Sequence, residues 1–171
     1  MFFVFSILKT NGYLADKKEP AIFGQKNLSA MNQPDKRITD FIKKHHVLTL
    51  ATAIDNNPWC ANCFYVWLED ENCFVFTTDP VTKHGSDAIK NPQVAGSVVL
   101  ETRVVGKVQG IQFTGTMEVP EGDLAEKAKI AYLKRFPVAI LMKTNLWVVK
   151  AIYIKMTDNR LGFGKKLIWE I

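Results

Sequence analysis

Cysteine is scarce and odd in number, three in 171 residues. That excludes a disulfide-framed secreted domain and agrees with a reducing compartment. Cys60 and Cys63 do form a C-x-x-C, but within "PWCANCFYVWLE", a strand-like run in which residues three apart point to opposite faces. A thioredoxin-type redox pair opens a helix instead. Zinc needs about four ligands, and neither Cys73 nor the histidines supply a second paired spacing. Ordinary strand cysteines are the simpler reading. Long apolar runs are missing too: "MFFVFSIL" falls well short of the roughly 20 residues that cross a bilayer. No positive charge precedes it and polar "KTNGYLADKK" follows, so it lacks the layout of a signal peptide. The expectation is a cytoplasmic protein with no membrane partner. A basic stripe is also absent. The net charge is +5, but residues 1–30 hold four lysines against two acids, which leaves +3 scattered over the rest. Nucleic acid is therefore not an expected partner. No dinucleotide fingerprint, P-loop, zinc-protease motif or nucleophile elbow occurs.

What is present is apolar and β-rich. Hydrophobic residues make up 47% of the chain, enough for one sizeable core in one domain. Residues 1–30 show no sustained period and read as an appendage, with Met31 an alternative start of translation. The domain then runs over residues 31–171. Asp35 can cap a helix that gathers Ile38, Phe41 and Ile42 on one face and closes at His45 and His46. "VLTLATAI", "WCANCFYVWL" and "CFVFTT" read as an antiparallel meander with hairpin loops at "DNNP" and "EDEN". A helix follows, with Asp79 as its cap and Pro80 at its first position, ending at Asn91. Two strands come next. Asp123 and Glu126 then have capping-box spacing ahead of a helix to about Arg135. Two final strands flank the "LGFG" turn. This order favours a mainly β fold, a bent or closed antiparallel sheet with flanking helices, over a parallel α/β sheet.

The connection "FTTDPVTKHGSDAIKNP" carries more chemistry than a plain loop requires. A helix N-terminus offers unpaired N–H groups and a partial positive charge, so a phosphate is a natural occupant. Thr78 and Thr82 add hydroxyls, Lys83 a full charge and His84 a ring donor. The simpler alternative is a solvated first turn. Asn62 and Gln112 each interrupt an apolar strand, and such an amide is either paired to backbone or faces a ligand.

"FVFTTDPVTKHGSDAIKNP" resembles the signature of pyridoxamine 5'-phosphate oxidase-like flavoproteins, in which a Phe-Val-Phe strand ends in Tyr-Thr and leads to Ser-Arg-Lys-Gly and Asn-Pro. "WCANCFYVW", "GIQFTG", "KRFPVA" and "TDNRLGFGKKLIW" are similar to the YhbP-like family of uncharacterised bacterial proteins within that superfamily. The resemblance covers nearly all of residues 35–171. It implies the FMN-binding split β-barrel, a homodimer with flavin between the subunits. It places Thr78, Thr82, Lys83 and His84 on the family's strand-end and helix-start positions and implies FMN as cofactor. With Thr77, Asn62 and Gln112 from the reading of the strands they form the expected cofactor-binding set, and no metal is expected. Where the oxidases carry an arginine and a lysine in the second strand, this chain has Asn62 and Trp67. The cations that hold the oxidases' vitamin substrate have no clear equivalent beyond Lys165 and Lys166, so pyridoxamine phosphate oxidation is not expected. Two functions stand. One is an FMN-dependent oxidoreductase acting on an unknown small molecule, with no catalytic residue named by the sequence. The other is a split-barrel dimer that has lost tight FMN binding and serves as a small-molecule or partner-binding module.

Overall fold

The structure is a computed structural model and describes residues 33–141, 145–163 and 165–171. The expected appendage at residues 1–30 and the alternative start at Met31 lie outside the described residues.

Helix α1 (Lys36–Lys44) starts where Asp35 accepts a hydrogen bond from the Arg37 N–H, as its sequence predicts. Its apolar face buries Ile38, Phe41 and Ile42. At its end the His45 Nδ1 donates to the Phe41 carbonyl at 2.8 Å, the structural role expected of a histidine at free helical carbonyls. Three antiparallel strands follow: β1 (Val47–Ile54), β2 (Asn57–Leu68) and β3 (Cys73–Thr77). Then come α2 (Lys83–Lys90), β4 (Gln93–Val99), β5 (Gln109–Glu118), α3 (Gly122–Arg135), β6 (Leu146–Asp158) and β7 (Lys166–Glu170).

The strand order is β3-β2-β1-β4-β5-β6-β7, and an added β3–β6 pairing closes the first six strands into a barrel. β6 makes this closure possible by serving different neighbours along its length. Residues 146–150 pair with β3, whereas residues 153–157 pair with β7. Every pairing is antiparallel. The fold is a mainly β split barrel with flanking helices. Among the described residues no helix is long and apolar enough to cross a membrane.

The barrel interior holds Leu48, Leu50, Tyr65, Trp67, Phe74, Phe76, Phe113 and Trp147. Phe74 and Phe113 stack with centroids 4.3 Å apart. The Phe113 ring lies where a side chain at position 96 would project, so only Gly96 fits there. Outside, Cys73 and Val75 pack with Ala128 and Tyr132 of α3 in a second apolar cluster. Cys60 is exposed, Cys63 is buried, and all three cysteines are free thiols. Burial pushes the Cys63 thiol up to about 11, an inert structural position.

Two helix starts differ from the sequence expectation. α2 is capped by Thr82, whose hydroxyl accepts from the Gly85 N–H at 3.2 Å. Asp79 instead closes the preceding turn by accepting from the Val81 N–H. Pro80 sits in that turn, because two competing caps lie three residues apart and the later one also has Thr78 and His84 to bond. α3 begins at Gly122 with Glu121 at its cap and no side-chain cap bond, so the Asp123/Glu126 capping box is not formed. Asp123 lies within the first turn instead, where its charge still suits the helix dipole.

Candidate functional site

The end of β3 delivers Thr77 and Thr78 in opposite directions. Thr77 shares the face of Cys73 and Val75, and its hydroxyl lies 3.1 Å from the Tyr132 hydroxyl of α3. Thr78 is nearly buried. Its Oγ1 lies 2.6 Å from His84 Nε2 and 3.1 Å from Thr82 Oγ1. Thr82 in turn donates to the Asp79 carbonyl at 2.7 Å. Three of the predicted residues, Thr78, Thr82 and His84, therefore meet at one point at the start of α2. The N–H groups of Lys83 and His84 at this helix start have no intrahelical acceptor.

Two features hold this cluster in place. Gly85 lets the helix approach the chain before it: a Cβ there would sit 2.5 Å from the Asp79 carbonyl oxygen and 3.2 Å from Pro80 Cα. Asp87 reaches inward to β1, where it accepts from the Thr52 hydroxyl at 3.1 Å. At the far end of α2, the Asn91 side chain donates to the Ala53 carbonyl.

Lys83 is not part of the cluster. Its ammonium reaches one turn along the helix to the Asp87 carboxylate, forming an ion pair in which the lysine side chain is 49% exposed and the aspartate 7%. The Lys83 hydrogen bond is the main reason the Asp87 carboxyl is held below its ordinary value, with burial opposing it. His84 is shifted down as well. Burial disfavours its charged form, and the Asp87 charge acts in the opposite sense. Its imidazole is thus a neutral hydrogen-bonding group at neutral pH.

Asn62 and Gln112 lie on the outer face of the barrel and are exposed. They occupy the same cross-strand row, in which Asn62 faces Thr49, Thr49 faces Ser97, Ser97 faces Gln112 and Gln112 faces Lys155. Asn62 Oδ1 accepts from the Thr49 hydroxyl at 2.9 Å. Its side-chain partner is a hydroxyl, neither the backbone nor an apolar wall. Trp67 is a core residue whose indole N–H has no hydrogen-bond partner.

Lys165 and Lys166 line a groove of about 380 Å³ with Arg37 and Asp158. Asp158 ends β6, whereas the Thr78 N–H bonds to Asn145, just before β6 begins. The 13 residues of β6 amount to roughly 40 Å of extended chain. Within one chain these lysines and the α2 cluster serve different places. A larger groove of about 560 Å³ opens against α3, lined by Val119, Pro120, Lys129, Tyr132, Ile140 and Asn145 among others. Tyr132, the hydroxyl partner of Thr77, is part of its lining. Among the described residues no group of three or more histidine, cysteine or acidic side chains is arranged to hold a metal.

The model of the family described as pyridoxamine 5'-phosphate oxidase matches residues 34–155. The chain belongs to the pyridoxamine 5'-phosphate oxidase-related family. A UPF0306 protein of Photorhabdus laumondii is 46% identical over 130 residues, which is 76% of this chain and 91% of that protein. Among solved structures, a heme-binding protein from Mycobacterium smegmatis superposes with a TM-score of 0.66 at 20% identity, over 81% of this chain but only 59% of that one. An FAD-binding protein from the same species gives 0.56 at 19% identity, over 77% of this chain and 92% of that one. These likenesses support the family and its fold.

Three contributors escaped the sequence reading. Asp87 was legible as an acid four residues after Lys83, the spacing of a helical ion pair. Thr49 and Ser97 join Asn62 to Gln112 only through strand register.

Proposed function

We propose that the protein is a flavin-binding split barrel that takes FMN, with the phosphate at the start of α2. The observation that carries this reading is the convergence of Thr78, Thr82 and His84 on one point beside the unpaired first N–H groups of that helix. The donor chemistry fits a phosphate, since the first helix N–H groups can donate to its oxygens and Thr78 and His84 can exchange their mutual bond for one to it, while Thr82, whose proton goes to the Asp79 carbonyl, holds the turn. The family membership and the FAD-binding structural relative support a flavin. The outer row from Asn62 to Gln112 would then face the ring system. Bound flavin would supply hydride chemistry, and the protein's part would be to bind, orient and shield it.

The flavin site is completed, on this reading, in a homodimer. Val47 and Phe64 are cross-strand partners on the outer face, and both are exposed. A second copy would cover them. Light scattering should report a dimer, and a monomer that still binds FMN tightly would overturn this part.

A second reading has its own observation. Lys83 is already paired with Asp87, Asn62 and Trp67 stand where the oxidases carry cations, and a structural relative binds heme. A barrel without tight FMN binding, serving another planar ligand or a partner, is consistent with these. The purified protein decides between them. A yellow preparation that releases FMN on denaturation supports the first reading. A colourless protein that takes up no added FMN, by fluorescence quenching, supports the second.

A further inference from the structure

We infer that Asp87 sets the phosphate affinity of the α2 site by competing for the Lys83 ammonium. This inference rests on the FMN reading above and concerns a residue that neither the family signature nor the helix start assigns. Lys83 is the first residue of α2, and its charge belongs where the helix dipole already favours an anion. Instead it points one turn away, to a carboxylate that is itself 7% exposed.

The carboxylate cannot readily turn aside. Asp87 is fixed on its inner side by the Thr52 hydroxyl of β1, and the next helical residue, Ala88, is buried in the core. Lys83 is the more exposed partner, with half of its side chain in solvent. An incoming phosphate must draw the ammonium off Asp87 and leave that carboxylate buried without its cation, a costly state. The negative charge of Asp87 also lies within two turns of the phosphate position. Both effects act in the same direction, against a dianion and not against an uncharged flavin.

The test titrates FMN and riboflavin against the parent and Asp87→Asn by fluorescence quenching. The asparagine keeps the shape and an oxygen to accept from Thr52, and melting curves check that α2 remains folded. Asp87→Asn should tighten FMN by about fivefold and leave riboflavin unchanged. Lys83→Met should weaken FMN more in the Asp87→Asn background than in the parent, because only there is the ammonium free for the phosphate. If the parent prefers FMN to riboflavin but Asp87→Asn leaves FMN unchanged or weaker, the competition is refuted while the flavin reading stands. If neither protein binds either flavin, both fall together. If only the Asn variant takes up FMN, the competition is supported in its strongest form. Should the variant fail to fold, the Lys83 Nζ resonance of ¹⁵N-labelled parent supplies the answer. It should move on adding FMN and not on adding riboflavin, and a resonance indifferent to FMN would overturn the inference.

Discussion

The chain passes from strand to helix through a proline twice on the way round the barrel, and the two passages are built differently. From β3 to α2 it runs Thr78-Asp79-Pro80-Val81-Thr82 and saturates itself with side-chain hydrogen bonds: Asp79 closes the turn, Thr82 caps the helix, and Thr78 and His84 bond to each other. From β5 to α3 it runs Val119-Pro120-Glu121-Gly122, makes no side-chain cap bond, and opens on the apolar groove of about 560 Å³. On the FMN reading proposed above, the first passage takes the phosphate. The second lines a mainly apolar groove. The difference lies in where the short polar side chains fall, since threonine and aspartate bond readily to nearby backbone whereas Glu121 does not do so here.

The largest contrast should come from the two glycines. Gly85→Ala would drive a Cβ to 2.5 Å from the Asp79 carbonyl oxygen, and backbone can yield there only by moving the whole turn. A loss of about 1–3 kcal/mol is expected, read by denaturant unfolding. Gly122→Ala meets no atom within 4 Å but has φ +54°, so the left-handed conformation alone should cost about 1 kcal/mol. Equal losses at the two positions would mean that the α2 passage is no more tightly packed than the other.

Cap removal should give a smaller contrast of the same sign. Thr82→Ala removes a formed cap and should cost about 1 kcal/mol. Glu121→Ala removes none and should leave the melting temperature nearly unchanged. If Glu121→Ala proved as damaging, the α3 start would depend on a bond absent from this structure.

The polar passage should also respond to pH. The folded state holds His84 below its ordinary value, so the unfolded chain takes up a proton first as pH falls. Stability should therefore drop from about pH 6.5 downward to the lowered folded value, and a His84→Gln variant should lack that contribution. Asp87, also held low, contributes stability that is present above the ordinary carboxylate range and is lost as pH falls through its folded value. Melting curves of the parent and the two variants, His84→Gln and Asp87→Asn, across about pH 2–8 check both directions.

The smallest effect is expected where the two regions touch. Tyr132→Phe removes the hydroxyl bonded to Thr77 and should cost about 0.5–1.5 kcal/mol, with FMN binding unchanged because Thr77 faces away from Thr78. A marked loss of FMN affinity would instead place Thr77 in the site.

The sequence by itself determined the element order, the antiparallel character and the core faces, because strand alternation and helix period are local and each residue carries its own preference. It also announced that Thr78, Thr82 and His84 belong to one connection. Tertiary structure decided everything that depends on direction. Thr77 and Thr78 are adjacent in the chain, yet pleating sends them to α3 and α2 respectively. Lys83 and His84 are adjacent as well, yet a helical step of about 100° separates them, and the lysine meets Asp87, which Thr52 of β1 holds in place. Asn62 and Gln112, 50 positions apart in the numbering, share a row only because β1 and β4 lie between them in register. Register is a property of pairing between strands, set by barrel closure through β6, and no stretch of sequence carries it alone.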